Sequence, residues 1–310
     1  MQCLPVGRLP EGDGWEYEVK LDGYRALGIG SDGYSKLLSR NGKDLSGRFS
    51  AIAKALAKVP AETVIDGEIV ALDENGRPSF GALQNSSGNV LRFFAFDLLY
   101  LAGRDLLKMP LDERRHLLRE KLMPKMAEIV CYSETLEASA ADVLATVKEQ
   151  GLEGVIAKRR DSVYEAGRRS GAWVKMRVNK GQELVIGGYV PGGANFDSII
   201  VGYYKGEDLI YVARVRNGFT PASRGQVFKQ LRGGQEIPKC PFVNLPQRDK
   251  GRWGEGLTAE KMSECRWLKP DLVAQIEFAE WTEGDHLRHS KFVGTREDKD
   301  AKEVRRDIES

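Results

Sequence analysis

Cysteine and histidine are scarce in this chain, four and three among 310 residues. Cys3, Cys131, Cys240 and Cys265 never fall at CxxC spacing, which argues against a zinc ribbon, and they are too few and scattered for a disulfide framework. His286 and His289 stand three apart in a polar stretch, the setting of solvent-facing side chains rather than of a metal-binding pair. No apolar run approaches the ~20 residues of a membrane span, and the opening MQCLPVGRLPEGDGW has no signal-peptide core, so a reducing cytoplasm is the expected location. Net charge is also missing: 47 Lys+Arg stand against 45 Asp+Glu. That balance excludes a bulk polycation but not a local basic surface.

What is present is a globular composition, 41% hydrophobic and 30% charged. The length points to two domains. From Trp15 to Arg177 the runs WEYEV, RALGIG, VIDGEIVAL, VLRFFAFDLLYL, EGVIAKR and WVKMR read as strands from their β-branched and aromatic content. Helices are expected over Phe49–Lys58, Leu111–Leu122 and Ala140–Gln150. The last carries Ser139 as N-cap, Asp142 three residues on and Gly151 past its end. This order, without strict βαβα alternation, predicts an α+β domain on antiparallel sheets. Asn179-Lys180-Gly181-Gln182 marks a boundary, giving domains 1–180 and 183–310. In the second, ELVIGGYV, SIIVGYY, LIYVARV and DLVAQIEFAEW are short strands around one helix, PASRGQVFKQL, behind Thr220, a pattern that fits a small β-barrel.

The densest chemistry lies in Glu18-Val19-Lys20-Leu21-Asp22-Gly23-Tyr24-Arg25. If the strand continues through this stretch, alternation puts Glu18, Lys20 and Asp22 on one face. A lysine between two carboxylates is either a compensated surface ladder or an amine presented to a pocket. In the second case a metal or substrate cation must offset the acids before the amine can act as a nucleophile. Further along come Ser39-Arg40-Asn41-Gly42, Asp66-Gly67-Glu68, Phe96-Asp97, Glu153-Gly154-Val155-Ile156-Ala157-Lys158 and Trp173-Val174-Lys175. Taken alone, Asp66-Gly67 reads equally well as a hairpin turn.

Together with Lys20-x-Asp22-Gly23, these six pieces in this order resemble the covalent nucleotidyltransferases: ATP-dependent DNA ligases, RNA ligases and capping enzymes. WEYEVKLDGYRA, FFAFDLLYLAGRDL, AGRRSGAWVKMR and LRHSKFVGTREDKDA resemble the ligase module of bacterial end-joining ligase D, over Leu4 to Ala301. The resemblance implies an adenylation (nucleotidyltransferase) domain followed by an OB-fold barrel. It implies Lys20 as the nucleophile toward the α-phosphorus of ATP. Asp22, Glu68 and Glu153 are hard oxygen ligands for Mg²⁺ or Mn²⁺, with Glu68 alternatively on the ribose hydroxyls. Glu18 is expected to accept from the adenine amino group and Phe96 to stack on the purine. Arg25 and Arg40 are expected at ribose or phosphate, the latter also at the 5′-phosphate of a nick. Lys158, Arg169 and Lys175 complete the nucleotide set. Arg177 stands where the family usually has a second lysine, a planar fork in place of a point charge.

Residues 158–180 carry eight cations against Asp161 and Glu165. Arg159, Arg160 and Arg168 are therefore expected on the DNA backbone, in sequence-independent and salt-sensitive contacts. Arg296, Asp298 and Lys299 match the family's last motif and are expected to orient pyrophosphate from a tail hinged at Gly294. Deleting the residues after Phe292 is then expected to abolish self-adenylation and spare the ligation of pre-adenylated nicks. The implied partners are nicked duplex DNA and a Ku-like end-binding protein, with the chain a monomer associated with the bacterial nucleoid. An RNA ligase or capping-type transferase, and a non-catalytic end-binding module, are the alternatives.

Overall fold

β-Branched and aromatic residues dominate the strands of the first half, and they assemble into two sheets. The computed structural model describes residues 1–84, 90–178, 180–246 and 257–307. Asn179, within the expected boundary, lies outside them. The chain divides into two compact units, Met1–Asn179 and Lys180–Asp307.

In the first unit, Trp15–Val19 pairs antiparallel with Gly154–Arg159, which pairs antiparallel with Trp173–Arg177. The two-residue strand Leu4–Pro5 closes this four-stranded sheet in parallel. The other sheet is built on Tyr34–Ser39, Tyr24–Ser31, Thr63–Leu72 and Val90–Leu101, paired antiparallel in that order. Val130–Tyr132 adds to Val90–Leu101 in parallel, so the sheets are antiparallel in the main rather than throughout. The burial of Tyr24–Ser31 alternates residue by residue, the mark of a strand with one face in the core. Asp66-Gly67-Glu68 lies inside the ten-residue strand Thr63–Leu72 and is no hairpin turn.

Helix Ala140–Glu149 starts where expected: the Ser139 hydroxyl accepts from the Asp142 amide, and Gly151 takes a positive φ of 67° past its end. The expected helix over Leu111–Leu122 is α-helical only through Leu117 and continues as a π-turn over Leu118–Leu122. Phe49–Lys58 shortens to Ser50–Leu56.

The second unit carries a five-stranded antiparallel sheet. Asp208–Val215, Asn195–Lys205, Gly181–Gly192, Arg266–Glu277 and Lys291–Thr295 lie side by side in that order. Register shifts interrupt four of its strand pairs, which lets the long strands bend and coil. Helix Pro221–Gly233 begins with a capping box between Thr220 and Ser223. Leu184, Ile186, Tyr211, Val212 and Leu231 are among the fully buried side chains of this unit's core.

The expected tail is part of this unit. Gly294 pairs with Gln275 inside a strand, so it is not a hinge. Beyond it Ala301 and Val304 join the core, and the Tyr204 amide donates to the Val304 carbonyl. Apolar residues every few positions after Thr295 give the segment something to bury, which a count of its charges conceals.

Candidate active site

The strand carrying Glu18 ends at Val19, and the next begins at Tyr24. Lys20-Leu21-Asp22-Gly23 is therefore the crossing from the four-stranded sheet to the other one, not the continuation of a strand face. Strict alternation thus stops at Val19. Gly23 has to be glycine: a Cβ there would stand 2.1 Å from the Ile69 carbonyl oxygen.

Lys20 is anchored by its backbone, whose amide donates to the Gly154 carbonyl at 2.8 Å. Gly154 also pairs with Arg177 across the sheet. A Cβ on Gly154 would lie 2.2 Å from the Met176 carbonyl oxygen, so only glycine allows this approach. Glu153, one residue earlier, is thereby placed between Lys20 and Arg177. Lys20 Nζ donates to Glu153 Oε2 at 2.6 Å, and Arg177 Nε donates to Glu153 Oε1 at 3.0 Å. All three side chains are largely shielded from solvent, with 11–15% exposure. Lys175 lies in the same strand as Arg177 and two residues away, hence on the same face.

On the second sheet Arg25 stands opposite Glu68 in register, and Asp66 lies two residues from Glu68 on the same face. Arg25 forms a fork on Asp66, Nε to Oδ1 at 3.0 Å and Nη2 to Oδ2 at 2.6 Å, and Tyr164 donates to Oδ2 at 2.8 Å. Burial acts to raise the Asp66 pKa, but the charge and hydrogen bonds of Arg25 outweigh it and hold the carboxyl below its ordinary range. Burial, reinforced by Asp66, drives the Tyr164 hydroxyl in the opposite direction, well above the usual phenol value. Asp97 faces Asp66 in register, and its own charge is met by Arg114 through two 2.8 Å bonds, with both side chains fully buried.

Glu18 is buried. It accepts from Arg115 at 2.7 Å, from the Ser133 hydroxyl at 2.6 Å, and from Lys158. Lys158 is thus an interior cation, 4.5 Å from the Phe96 ring centre and 4.6 Å from that of Trp173. Phe96 is half-buried and meets Trp173 edge-on, while its neighbour Phe93 is a core residue. Glu16, also buried, faces Lys158 across the pair of strands and lies 3.2 Å from Arg115 Nε. Burial raises its pKa against the pull of Arg115 and Lys158.

The remaining expected residues separate. Arg40 lies just past strand Tyr34–Ser39, half-buried. Arg159 is exposed and paired with Asp161 at 2.8 Å. Arg160 lies 3.6 Å from Asp112 and 3.9 Å from Glu16. Arg168 and Arg169 are exposed. The cationic run is therefore not one surface: Lys158 is interior, Arg177 is on Glu153, and Arg159, Arg168 and Arg169 face solvent. In the second unit Arg296 and Asp298 are buried and joined by two 2.9 Å bonds, and Lys299 lies 3.3 Å from Glu183.

Among the described residues no group of three His, Cys, Asp or Glu side chains is close enough to hold a metal ion. Asp22, Glu68 and Glu153 are therefore not a preassembled three-carboxylate cage. Hard oxygen donors are present all the same, and Mg²⁺ is commonly held by one or two carboxylates with substrate phosphates completing its shell, an arrangement this donor set fits.

Residues 8–177 match the ATP dependent DNA ligase domain and residues 192–299 the ATP dependent DNA ligase C terminal region. The chain belongs to the ATP-dependent DNA ligases. It is 37% identical over 310 residues to the multifunctional non-homologous end joining protein LigD of Pseudomonas aeruginosa, with 96% of this chain and 35% of that protein covered. Identity to the LigD of Mycobacterium tuberculosis is 38%, over 94% of this chain and 37% of that protein. The ligase chain thus spans roughly a third of the length of these relatives. DNA ligase C1 of Mycolicibacterium smegmatis is 30% identical, with 92% of this chain and 86% of that protein covered. Among solved structures, mycobacterial DNA ligase D complexed with ATP and MES superposes with a TM-score of 0.66 at 36% identity, covering 96% and 93% of the two chains. The ligase domain of M. tuberculosis LigD gives 0.50 at 35%, covering 98% and 96%. The ligase therefore has the nucleotidyltransferase domain and C-terminal OB-fold that its motifs implied.

Sequence reasoning missed Arg114, Arg115, Ser133 and Tyr164. A signal for the first was available. Leu111, Arg114, Leu118 and Leu122 recur at helical spacing, so an arginine occupies a core position of an apolar stripe. Ser133 and Tyr164 lie outside the regular elements and carry no such pattern.

Proposed function

We propose that this chain seals 3′-hydroxyl/5′-phosphate nicks in duplex DNA through a lysine-bound AMP. The observation that carries the reading is the contact of Lys20 with Glu153, 133 positions apart in sequence and 2.6 Å apart in space. Lys20 Nζ, after releasing its proton, attacks the α-phosphorus of ATP; an N–P bond forms and pyrophosphate leaves. Glu153 is the acceptor already in contact with that proton. The AMP then passes to the 5′-phosphate, returning Lys20, and the 3′-hydroxyl attacks the activated phosphate and expels AMP.

Lys175 and Arg177 supply positive charge where the triphosphate loses its leaving group, the main requirement of phosphoryl transfer. Arg25, held rigidly by Asp66 and Tyr164, meets the ribose or the phosphate, and Arg40 the 5′-phosphate. Phe96 and Glu18 receive the purine. A divalent ion, Mg²⁺ or Mn²⁺, held by phosphate oxygens with Asp22, Glu68 or Glu153, would neutralise charge on the phosphates. Arg159, Arg160, Arg168 and Arg169 suit the DNA backbone, and Arg296, Asp298 and Lys299 the pyrophosphate. We assign the chain to end joining beside a Ku-like partner, as a monomer at the nucleoid in the cytoplasm; the LigD relatives support this assignment.

Incubation with ATP and Mg²⁺ followed by intact-mass measurement tests the first step. A gain of one AMP that is lost in Lys20→Ala is expected. No adduct with Mg²⁺ or Mn²⁺ would remove the proposal.

A further inference from the structure

Arg115 is drawn into the site by neither a motif nor an exposed position, yet one guanidinium meets three hydrogen-bond acceptors and a second carboxylate, with partners on both sheets. Its Nη1 donates to Glu18 Oε1 at 2.7 Å and to the Phe96 carbonyl at 2.8 Å, and its Nη2 donates to the Ser133 carbonyl at 2.7 Å. Its Nε lies 3.2 Å from Glu16 Oε1, and the Tyr132 ring centre is 4.8 Å from Cζ. The side chain is 3% exposed. Glu16 and Glu18 belong to the four-stranded sheet, and Phe96 belongs to the other. The proposed purine-reading carboxylate and the residue that carries the proposed stacking ring thus sit on different sheets, and Arg115 bonds both.

The carboxylate is also constrained in what it can accept. Of the roughly four lone-pair sites of an ionised carboxylate, Glu18 uses two on Oε1, for Arg115 and Lys158, and one on Oε2, for the Ser133 hydroxyl. Both Glu18 oxygens thus already accept from these donors, so the group faces the site as an acceptor, with its remaining capacity on Oε2. Such a group welcomes the amino group at C6 of adenine and repels the oxygen at C6 of hypoxanthine or guanine.

We infer that Arg115 is a positioning residue for purine selectivity, fixing Glu18 as an acceptor-only group at a set distance from Phe96. The inference rests on the proposed nucleotide roles of those two residues. A point-charge ammonium could preserve the charge but not the three hydrogen bonds of the fork.

The test compares ATP with ITP, which differ at C6, in Arg115→Lys, Arg115→Met and Ser133→Ala. Dissociation constants are measured calorimetrically and lysine adenylation by intact mass, with circular dichroism confirming the fold. The ATP preference is expected to fall about tenfold or more in the Arg115 variants, in line with the loss of a charge-assisted hydrogen bond. Ser133→Ala keeps Arg115 and its carbonyl acceptor, and should lose part of the preference with little effect on folding. Equal losses for both nucleotides in the Arg115 variants, or an unchanged ratio in Ser133→Ala, overturn the inference. If the unmutated chain binds ATP over ITP but forms no adduct, the ligase chemistry fails while this inference stands.

Discussion

Lys20 Nζ and Glu153 Oε2 stand 2.6 Å apart, with Arg177 on the other oxygen of the same carboxylate. Glu153 thus meets both Lys20, the proposed nucleophile, and the arginine that stands where the family usually has a lysine. Removing its charge while keeping its shape, in Glu153→Gln, should slow self-adenylation by about 10²-fold or more, the usual reach of a proton acceptor. Single-turnover formation of the AMP adduct measures this.

Arg177 bonds Glu153 through Nε, an atom that lysine lacks. Arg177→Ala should weaken adenylation by about 10- to 100-fold, the scale of a charge-assisted hydrogen bond. Arg177→Lys should recover most of that rate, because the phosphate-facing charge returns. Rates at saturating ATP separate the two variants.

The Asp66 carboxyl has a folded pKa below its ordinary value of 3.8. Its contribution to stability is therefore complete above that value and is lost as pH falls through the lower folded value. Asp66→Asn leaves Arg25 without its partner and should cost about 3 kcal/mol at neutral pH. That cost should shrink as the pH drops below the ordinary aspartate range. Urea unfolding at pH 7 and near pH 3 provides the comparison.

Arg114 and Asp97 form a pair with no solvent exposure, and Arg114 also donates to the carbonyls of Met109 at 2.6 Å and Ser162 at 2.9 Å. Asp97→Ala should destabilise the first unit by about 3–5 kcal/mol, because it strands a buried cation. The double variant Asp97→Leu/Arg114→Met should recover much of that loss. Thermal unfolding of the three proteins tests whether the pair is needed for stability or only for its own neutralisation.

Truncation after Phe292 removes three of the five residues of the paired strand Lys291–Thr295 together with buried Arg296, Asp298, Ala301 and Val304. Unfolding of the second unit is therefore expected, seen as rapid proteolysis of residues 180–292, rather than a selective loss of adenylation. Lys299→Ala is the better probe of the last motif. The Lys299 side chain retains 25% exposure and its ammonium lies 3.3 Å from Glu183, so its removal leaves the core of the unit intact.

The strands Trp15–Val19, Val90–Leu101 and Trp173–Arg177 were legible to the residue, since β-branched and aromatic runs bounded by turn residues leave few alternatives. The Ser139 and Thr220 caps were equally legible, because a cap is a local bond between residues three apart. The spacing of motifs singled out Lys20, Glu153 and Lys175 as candidates without any geometry. Side-chain partnerships between distant residues were beyond reach. Lys158 stood both in the nucleotide set and in the cationic run, and only the fold buries it beside Glu18. Asp66 stood open between a strand and a turn until its strand placed it in contact with Arg25. The Gly294 hinge vanished once Gln275 paired with that glycine.

The scarcity of cysteine and histidine argued against a zinc ribbon and a disulfide framework, and the lack of net charge excluded a bulk polycation, because those readings depend on how many groups exist and how they are spaced. Tertiary structure alone decided where the balanced charges went. Local pattern specifies which residues form strands and caps. The Coulomb and hydrogen-bond energy of a charge depends on its neighbours in space and on how much water they exclude. Arg115, with nothing in its sequence neighbourhood to distinguish it from a surface arginine, acquired its three acceptors and its second carboxylate only when two sheets and a helix closed around it.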